Sequence, residues 1–389
     1  MTEPMGRNVI ARGQSSYGVE VTEHRLSERD LQDDDVDTLD RARAPARGEA
    51  GPRLKSPQSW RQPDAHLETL VTTPWYPAIF ELFSVLNFAT HDFFRLEAAS
   101  IAFAPLTTGS ISSPMGLASD SVPVQAQIGG RTIYLADSMQ FALELALRVT
   151  GRPTYYLLPS FRGEGSDARH LNQFVHAEAE MRGGLDDVMA FVERYFRFLT
   201  RALLSEARKT LNLFGSNIKS LDSVAAGTGP FRRIRFAEAV RVLADCDGAF
   251  ERCETGDLRI TSLGERALLD RHRAPIWITH MPARTVPFYQ AISPDDPEIS
   301  LTADLLTGVG ETVGAGERAL TDADVIANLA RGQVCADDYR WYIDMKRAQP
   351  WRTAGFGLGV ERFLMWATGT RDIRDWSFLL RNEFGEGSP

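Results

Sequence analysis

The sequence predicts an α+β fold in which an antiparallel sheet is flanked by helices. Runs with strand-like composition are more numerous than alternating βαβ units would give. Other segments carry apolar residues at helical spacing, as residues 186–204 do. Hydrophobic residues make up 43% of the 389 residues and aromatic residues 10%, which is enough for a packed core. These observations favour one large folded unit, with both kinds of element contributing to its core.

The first 60 residues differ from the rest of the chain in composition. They contain an acidic stretch at residues 28–35 and an Arg/Ala-rich stretch at residues 41–48, with few large apolar side chains. Such a segment buries too little apolar surface to offset the entropy lost on ordering. We therefore predict a disordered polar tail over residues 1–60, with a docking arm as the alternative. Residues 61–389 are predicted to form the folded domain.

The predicted elements of the folded domain follow in chain order. A helix begins near Pro77, where apolar residues recur at helical spacing. A helix is also predicted from Asp186 to about Leu204, with Val188, Val192 and Tyr195 on one face. The other predicted elements are strands at 131–135, 154–158, 276–278, 286–291 and 299–306, and helices at 138–149 and from 360 to about 368.

Composition also excludes several classes of function. No segment approaches the roughly 18 consecutive apolar residues that span a bilayer, and the polar N-terminus does not resemble a secretory signal. The three cysteines are odd in number and match no zinc-site spacing, so redox and zinc chemistry are not expected. The net charge of −9 gives no overall attraction to nucleic acid, although a local basic patch stays open. We predict a cytoplasmic protein with no membrane partner.

The run from Gly355 to Phe363 is the first candidate for binding a ligand. Gly355, Gly357 and Gly359 alternate with apolar residues at the end of a predicted strand, and Glu361 and Arg362 open the next helix. Glycines let a flat ligand lie against the backbone, and a guanidinium can stack on adenine or bind a phosphate. Taken alone, the run is more typical of a tight turn followed by a surface Glu-Arg pair.

A second candidate is the charged loop from Phe161 to Phe174, which lies between two predicted strands. Arg162 could bind an α-phosphate, and Phe174 could stack on a base. Glu164 could accept from an amine or a ring edge, and His170 could lie near the outer phosphates. The alternative is the exposed tip of a charged hairpin.

A third candidate is the pair of carboxylates Asp304 and Glu311, which flank a turn that contains Gly308 and Gly310. Mg²⁺ is usually bound by one or two carboxylates together with the phosphates of a substrate. The pair fits that pattern, although acidic residues also decorate the ends of many strands.

Together, in this order, the three segments resemble the catalytic core of class IIb aminoacyl-tRNA synthetases, closest to the asparaginyl and aspartyl enzymes. The likeness extends from about residue 75 to residue 382. It includes residues 367–369 and 373–375 after the glycines, and Tyr342-x-Asp344-x-Lys346-Arg347 before them. The resemblance implies the class II antiparallel sheet flanked by helices, ATP bound in a bent form, Mg²⁺, and a homodimer.

By the same resemblance, Arg162 and Arg362 are the catalytic residues and hold ATP. Two further groups complete the implied site, one for the nucleotide and its metal and one for an amino-acid substrate. The nucleotide and metal group is Glu164, Arg169, His170, Phe174, Gly357 and Gly359 with Asp304 and Glu311 on Mg²⁺, and the amino-acid group is Gln140, Tyr342, Asp344 and Arg347.

The chain also departs from the family pattern. The polar tail is too poor in apolar residues to form the usual anticodon-binding barrel. Gln173 replaces a Glu, Gly316 replaces a Ser, and Arg352-Thr353-Ala354 replaces Pro-His-Ser, so the changes lie near the amino acid rather than near ATP. In this layout the chain resembles stand-alone archaeal asparagine-synthetase-like proteins.

We therefore predict an AMP-forming ligase that adenylates a carboxylate of an Asp-like or Asn-like amino acid. The acyl group would pass to an amine or ammonia without tRNA, which the negative net charge disfavours as acceptor. Two alternatives stay open: an aminoacyl-tRNA synthetase without its anticodon domain, and a non-catalytic nucleotide-binding paralogue.

Overall fold

The computed structural model describes residues 12–14, 20–22, 53–112, 122–253, 255–272, 275–382 and 385–386. Most of the predicted tail therefore lies outside the described residues. Its last part, residues 53–60, lies inside them and packs on the domain. Trp60 is 5% exposed, and its Nε1 donates to Asp375 Oδ1 at 2.9 Å. The packed part of the chain thus includes residues that the composition assigned to the tail.

The helices and strands have the following bounds. The helices are α1 His66–Thr72, α2 Trp75–Leu96, α3 Gln140–Thr150, α4 Leu185–Glu206, α5 Arg208–Phe214, α6 Ile218–Ala226, α7 Phe236–Val242, α8 Ser262–His272, α9 Asp322–Arg331, α10 Arg340–Ala348 and α11 Val360–Thr368. The strands are β1 Arg12–Gln14, β2 Glu20–Thr22, β3 Ser100–Ile101, β4 Thr107–Thr108, β5 Gln125–Ile128, β6 Arg131–Leu135, β7 Thr154–Phe161, β8 Gln173–Arg182, β9 Arg232–Arg235, β10 Phe250–Arg252, β11 Leu258–Ile260, β12 Ile276–Thr279, β13 Thr302–Thr307, β14 Gly310–Glu317, β15 Thr353–Gly359, β16 Arg381–Asn382 and β17 Gly385–Glu386.

An eight-stranded sheet organises the fold, with strand order β3-β7-β8-β15-β14-β13-β12-β9. The six central strands pair antiparallel, and only the outermost strands, β3 and β9, pair parallel to their neighbours. Helices flank this sheet. The predicted α+β class with an antiparallel sheet and flanking helices is confirmed.

Most predicted elements are present with shifted ends, and one is wrong. Residues 286–291, predicted as a strand, form a turn and one isolated bridge, which joins Gln290 to Arg318. Pro287 interrupts this segment and has no N–H to donate to a ladder. The run of glycines was placed at the end of a strand, and it makes up most of β15.

One face of the central sheet forms the main core. Because side chains alternate along a strand, Ala179, Phe356 and Ala315 share this face across β8, β15 and β14. Helices α2 and α4 cover it, and Phe94 of α2 stacks on Tyr155 of β7 at 4.0 Å between ring centroids. Each large apolar side chain buried here contributes about 1.5–3 kcal/mol. This packing fixes the strands that carry the opposite face.

The opposite face is floored by glycine. Gly314 pairs with Gly357 and Gly316 pairs with Gly355 across β14 and β15. We call the groove above these four residues the glycine trough. On β8, Glu178 lies opposite Gly357 and Glu180 lies opposite Gly355, so both carboxylates belong to the same face. The trough is therefore a polar groove on a sheet whose other face is apolar. No helix in the described part of the chain is long and apolar enough to cross a bilayer.

Candidate active site

Arg162 and Phe174 lie together at one end of the glycine trough, at the facing ends of β7 and β8. The Arg162 guanidinium carbon is 5.5 Å from the centre of the Phe174 ring. Arg162 Nε is buried and has no hydrogen-bond partner among the described residues. A buried guanidinium donor without an acceptor costs free energy unless a ligand completes it. An anion beside a flat ring is the ligand that this pair suits.

Glu361 and Arg362, which open α11, have separate roles. Both oxygens of the Glu361 carboxylate accept from Val175 N, at 3.0 and 3.2 Å, so this side chain anchors β8 to α11. Burial raises the pKa of Glu361 to about 7. Arg362 donates through Nη1 to Glu311 O at 2.7 Å and through Nη2 to Arg169 O at 3.2 Å. Arg362 is thereby fixed between the charged loop and the acidic pair.

The carboxylates of Asp304 and Glu311 converge above Gly314. A Cβ at Gly314 would lie 3.0 Å from Glu311 Oε1 and 3.8 Å from Asp304 Oδ1. Burial and the neighbouring charges of Glu311 and Glu265 raise the pKa of Asp304 well above its ordinary value. Within the described ranges no group of three or more His, Cys, Asp or Glu residues is arranged to hold a metal. Two carboxylates that repel each other still suit a cation whose remaining ligands come from a phosphate.

Glu265 of α8 is a further member of this region that the sequence did not single out. Its Oε2 accepts from Arg169 Nη2 at 2.5 Å, and burial raises the pKa of Glu265. Gly310 adopts φ of +100°, and a side chain there would overlap both Glu265 and Arg169. Gly310 therefore permits both the turn and the ion pair. Arg169 lies beside the acidic pair, and its Nη2 is already paired with Glu265; its role toward a nucleotide stays a prediction.

His170 and Glu164 lie in the same charged loop and have local partners. His170 Nδ1 lies 3.0 Å from Asp167 Oδ1, and the His170 side chain is 43% exposed. Glu164 Oε2 accepts from Val122 N at 3.1 Å. Their roles toward a nucleotide stay predictions.

The middle of the glycine trough is organised by Glu178. Its Oε2 accepts from Ser138 Oγ at 2.7 Å and from the Tyr156 hydroxyl, and its Oε1 lies 3.1 Å from His176 Nδ1. Burial opposes ionisation of Glu178, but these partners outweigh it and hold the pKa of Glu178 below its ordinary value. A carboxylate kept ionised above a glycine floor suits a ligand ammonium group. Gln140 opens α3 two residues after Ser138, beside this carboxylate's partners.

The far end of the trough holds a buried cation. Arg318 follows β14 directly, and its side chain is 3% exposed. Arg318 Nε donates to Glu180 Oε1 at 2.8 Å, and Arg318 Nη1 donates to Gln290 Oε1 at 2.9 Å. Burial raises the pKa of Glu180 above its ordinary value, against the attraction of Arg318. Glu180 Oε2 is buried and has no partner in the described part of the structure.

The structure does not bring Asp344 and Arg347 into the trough. Arg347 pairs with Asp322 at 2.8 Å and with Asp344 at 2.7 Å, and its side chain is 58% exposed. On α10, Tyr342 and Lys346 are one turn apart and face inward instead. The predicted contact of Arg347 with an amino acid is therefore corrected: helical spacing turns that side chain outward.

Tyr342 takes part in a buried network rather than an open site. Tyr342 Oη donates to Glu144 Oε2 at 2.5 Å, and Lys346 Nζ and Thr353 Oγ1 both donate to Glu144 Oε1. Glu144 comes from α3, so the network joins α3, α10 and β15. Tyr342 therefore supports one side of the glycine trough, and its hydroxyl is already engaged in a hydrogen bond to Glu144.

Sequence reasoning missed Glu178, Glu180, Arg318 and Gln290. Glu178-x-Glu180 carried a usable signal, because two carboxylates two residues apart in a strand share one face. Arg318 and Gln290 had no such signal, since they come from separate segments that an isolated bridge joins in the folded chain. Their proximity to Glu180 depends on strand order in the sheet.

Comparison with known proteins agrees with this geometry. The family described as tRNA synthetases class II (D, K and N) matches residues 66–382. An asparagine–tRNA ligase of Clostridium botulinum (strain Alaska E43 / Type E3) is 28% identical, and the match covers 77% of this chain and 69% of that protein.

The chain also resembles solved structures of asparaginyl-tRNA synthetases. Asparaginyl-tRNA synthetase from Pyrococcus horikoshii, complexed with asparaginyl-adenylate, superposes with a TM-score of 0.72 and 26% identity, covering 83% of this chain and 72% of its own. The asparaginyl-tRNA synthetase of Entamoeba histolytica, also with asparaginyl-adenylate, has a TM-score of 0.69 and 22% identity, covering 84% and 71% respectively. The second likeness concerns the fold alone.

Proposed function

The chain belongs to the class II tRNA synthetases (D, K and N), and from that premise we propose that it joins an amino acid to AMP and then transfers the acyl group to tRNA. The observation that carries the proposal is the glycine trough, with unpartnered Arg162 Nε at one end and ionised Glu178 in the middle. Arg162 can donate to an anion and Glu178 can accept from an ammonium group, and both lie along the same row of glycines. This arrangement suits ATP and an α-amino acid bound side by side.

The proposed reaction begins when the amino-acid carboxylate attacks the α-phosphorus of ATP. Arg162 would stabilise the charge that develops on the phosphoryl oxygens, and Phe174 would hold the adenine. Glu178 would bind the α-ammonium and so aim the carboxylate. Pyrophosphate would leave as the P–O bond to the β-phosphate breaks. Positioning of the two substrates supplies most of the acceleration in this scheme.

We include Mg²⁺ in the proposal, held by Asp304 and Glu311. The support is the convergence of both carboxylates above Gly314 and the raised pKa of Asp304, because a bound cation would relieve their repulsion. When bound, the metal would neutralise phosphate charge. Arg362 lies beside this pair through its bond to Glu311 O and would meet the same phosphates.

Transfer to tRNA replaces the amide synthesis that the sequence analysis favoured. The similar proteins bear the names of tRNA ligases, and tRNA-independent amide formation has no support from them. The low expectation for tRNA rested on net charge and on the tail, and neither describes the trough. We therefore adopt the alternative: a synthetase-type ligase with tRNA as acceptor.

A homodimer is also part of the proposal. Along α2, Phe80, Phe88 and Leu96 are 48%, 71% and 71% exposed, and each is eight residues from the next. At about 100° per residue, residues eight apart are rotated by about 80°, so Phe88 lies between Phe80 and Leu96 on a broad, partly exposed apolar surface. A second copy would bury part of this surface, and sedimentation of the full chain tests that.

The proposed function is tested by amino-acid-dependent exchange of labelled pyrophosphate into ATP, followed by tRNA charging. Exchange with one or more amino acids, and acid-precipitable labelled amino acid on tRNA, is the expected result. If exchange occurs but the acyl group passes only to ammonia or hydroxylamine and never to tRNA, the chain synthesises an amide and the tRNA proposal is wrong. If no amino acid supports exchange while ATP binds, adenylation of an amino acid is wrong.

A further inference from the structure

The far end of the glycine trough is occupied by the chain itself. Arg318, the buried cation there, already donates to the Glu180 carboxylate and to the Gln290 carboxamide. The Gln290 residue is 8% exposed, so its carboxamide is enclosed with the guanidinium. A primary carboxamide is the functional group of an asparagine side chain. Gln290 thus presents to Arg318 the group that an asparagine ligand would present.

Gly316 makes room for this arrangement. A Cβ at Gly316 would overlap Oε1, Cδ and Nε2 of Gln290, so the carboxamide lies directly over the glycine backbone. Even a serine, which the family pattern has at this position, would displace the carboxamide. The glycine at position 316 makes the space that the Gln290 carboxamide occupies, so the two features depend on each other. The carboxamide fills the part of the glycine trough that lies above Gly316.

The location of this filling bears on the amino-acid side chain. Glu178 and Glu180 are two residues apart on β8, about 7 Å along the strand. With its ammonium at Glu178 and its carboxylate toward Arg162, an amino acid would direct its side chain toward Glu180, Arg318 and Gln290. A side chain of asparagine length would meet the Gln290 carboxamide before it met Arg318.

We propose that Gln290 is a specificity-determining residue that closes the side-chain end of the trough, so that this chain activates an amino acid smaller than asparagine, such as glycine, alanine or serine. The inference rests on the proposed function, because it concerns the amino acid that the same trough would adenylate. Arg318 and Glu180 then act as a closed ion pair beneath the end of the pocket.

Binding of stable adenylate analogues tests the inference without requiring turnover. Calorimetry would compare sulfamoyl adenosines that carry alanyl or asparaginyl groups, using the full chain. We expect the wild type to bind the alanyl compound at least tenfold more tightly. Gln290→Ala should leave Arg318 Nη1 without its acceptor. The affinity for the asparaginyl compound should then rise at least tenfold relative to that for the alanyl compound. Gln290→Glu, which still fills the space and pairs with Arg318, should keep the wild-type preference.

Two controls guard the reading of these affinities. Gln349→Ala removes an exposed glutamine outside the trough and should change neither affinity. ATP binding and the thermal midpoint of each variant report whether the domain is intact. A wild type that prefers the asparaginyl compound, or a Gln290→Ala variant with an unchanged ratio, overturns the inference and leaves the proposed function standing. If ATP binds and neither analogue does, the proposed function fails, and the inference fails with it.

Discussion

The two ends of the glycine trough differ in how their charged groups are satisfied. At the proposed nucleotide end, Arg162 Nε has no partner among the described residues, and the carboxylates of Asp304 and Glu311 converge above Gly314. At the amino-acid end, Arg318 is enclosed by Glu180 and Gln290. At the first end, the repulsion between two carboxylates and the unpaired donor of Arg162 would be relieved by a ligand. At the second end, the charge of Arg318 is already balanced by Glu180 of the same chain. The contrast teaches that one sheet can keep a binding surface open at one end and close it at the other.

Breaking the closed end should have the largest effect on stability. Arg318→Met leaves Glu180 buried without its cation, and loss of one partner of a buried ion pair costs about 3–5 kcal/mol. Urea unfolding at pH 8, above the pKa of about 7 that burial gives Glu180 in the intact chain, measures the change. Arg233→Met is the matched control, because Arg233 pairs with Asp186 at 2.5 Å but their side chains are 39% and 85% exposed. That control should cost less than about 1 kcal/mol. Equal losses in the two variants would contradict the contrast.

Removing the Arg162 side chain should lower activity and leave stability nearly unchanged. Arg162→Ala is expected to lower the rate of pyrophosphate exchange about 10²–10³-fold, the usual loss for one donor to developing charge. Its thermal midpoint should change little, since Arg162 Nε has no protein partner within the described ranges. Arg182→Ala is the control at the other end of β8, where Arg182 stacks on Trp351 at 4.1 Å. An Arg162→Ala variant with normal exchange would remove Arg162 from the proposed mechanism.

Asp304→Asn should separate function from stability. The pKa of Asp304 is raised in the folded protein, so the folded state holds its proton more tightly than the unfolded state does. This group therefore lowers stability as pH rises through its folded pKa. In Mg²⁺-free buffer the variant should gain about 2 °C or more in thermal midpoint at pH 8 and less at pH 5.

Mg²⁺ gives the complementary measurement. With ATP present, Mg²⁺ should raise the thermal midpoint of the wild type at pH 8 and do so much less for Asp304→Asn, because ligand binding stabilises the folded state. Pyrophosphate exchange should fall in the same variant. Equal Mg²⁺ stabilisation of both proteins would argue against a metal at Asp304.

The smallest effect is expected outside the trough. Arg347→Ala should change stability by less than about 0.5 kcal/mol and leave pyrophosphate exchange unchanged, because its two ion pairs are exposed. Lys346→Ala, one residue away, is the contrasting variant, since Lys346 is fully buried against Glu144. An exchange defect in Arg347→Ala alone would revive its predicted role as a substrate contact.

Local patterns accounted for much of the fold and for the segments that carry Arg162 and Phe174. Helix α4 follows from its apolar stripe, and the strand, loop and strand around Arg162 and Phe174 lie close together along the chain. Residues 286–291 were predicted wrongly because their apolar composition suggests a strand, whereas the segment contains Pro287 and makes a single isolated bridge, from Gln290 to Arg318. The role that the resemblance implied for Arg347 is wrong because the motif Tyr342-x-Asp344-x-Lys346-Arg347 does not say which side of helix α10 faces inward.

The sequence alone determined the α+β class, the class II synthetase resemblance, and the residue types able to bind ATP and Mg²⁺, because these depend on composition, short-range periodicity and motifs. Only the tertiary structure decided what those residues meet. The order β8-β15-β14-β13 brings Glu178, Glu180, Gly316 and Asp304 onto one face, although the chain separates them by up to 138 positions. The ion pair of Arg318 with Glu180 and the hydrogen bond of Arg318 to Gln290 arise from that order. Hydrogen bonds across a sheet join segments whose pairing no local pattern encodes.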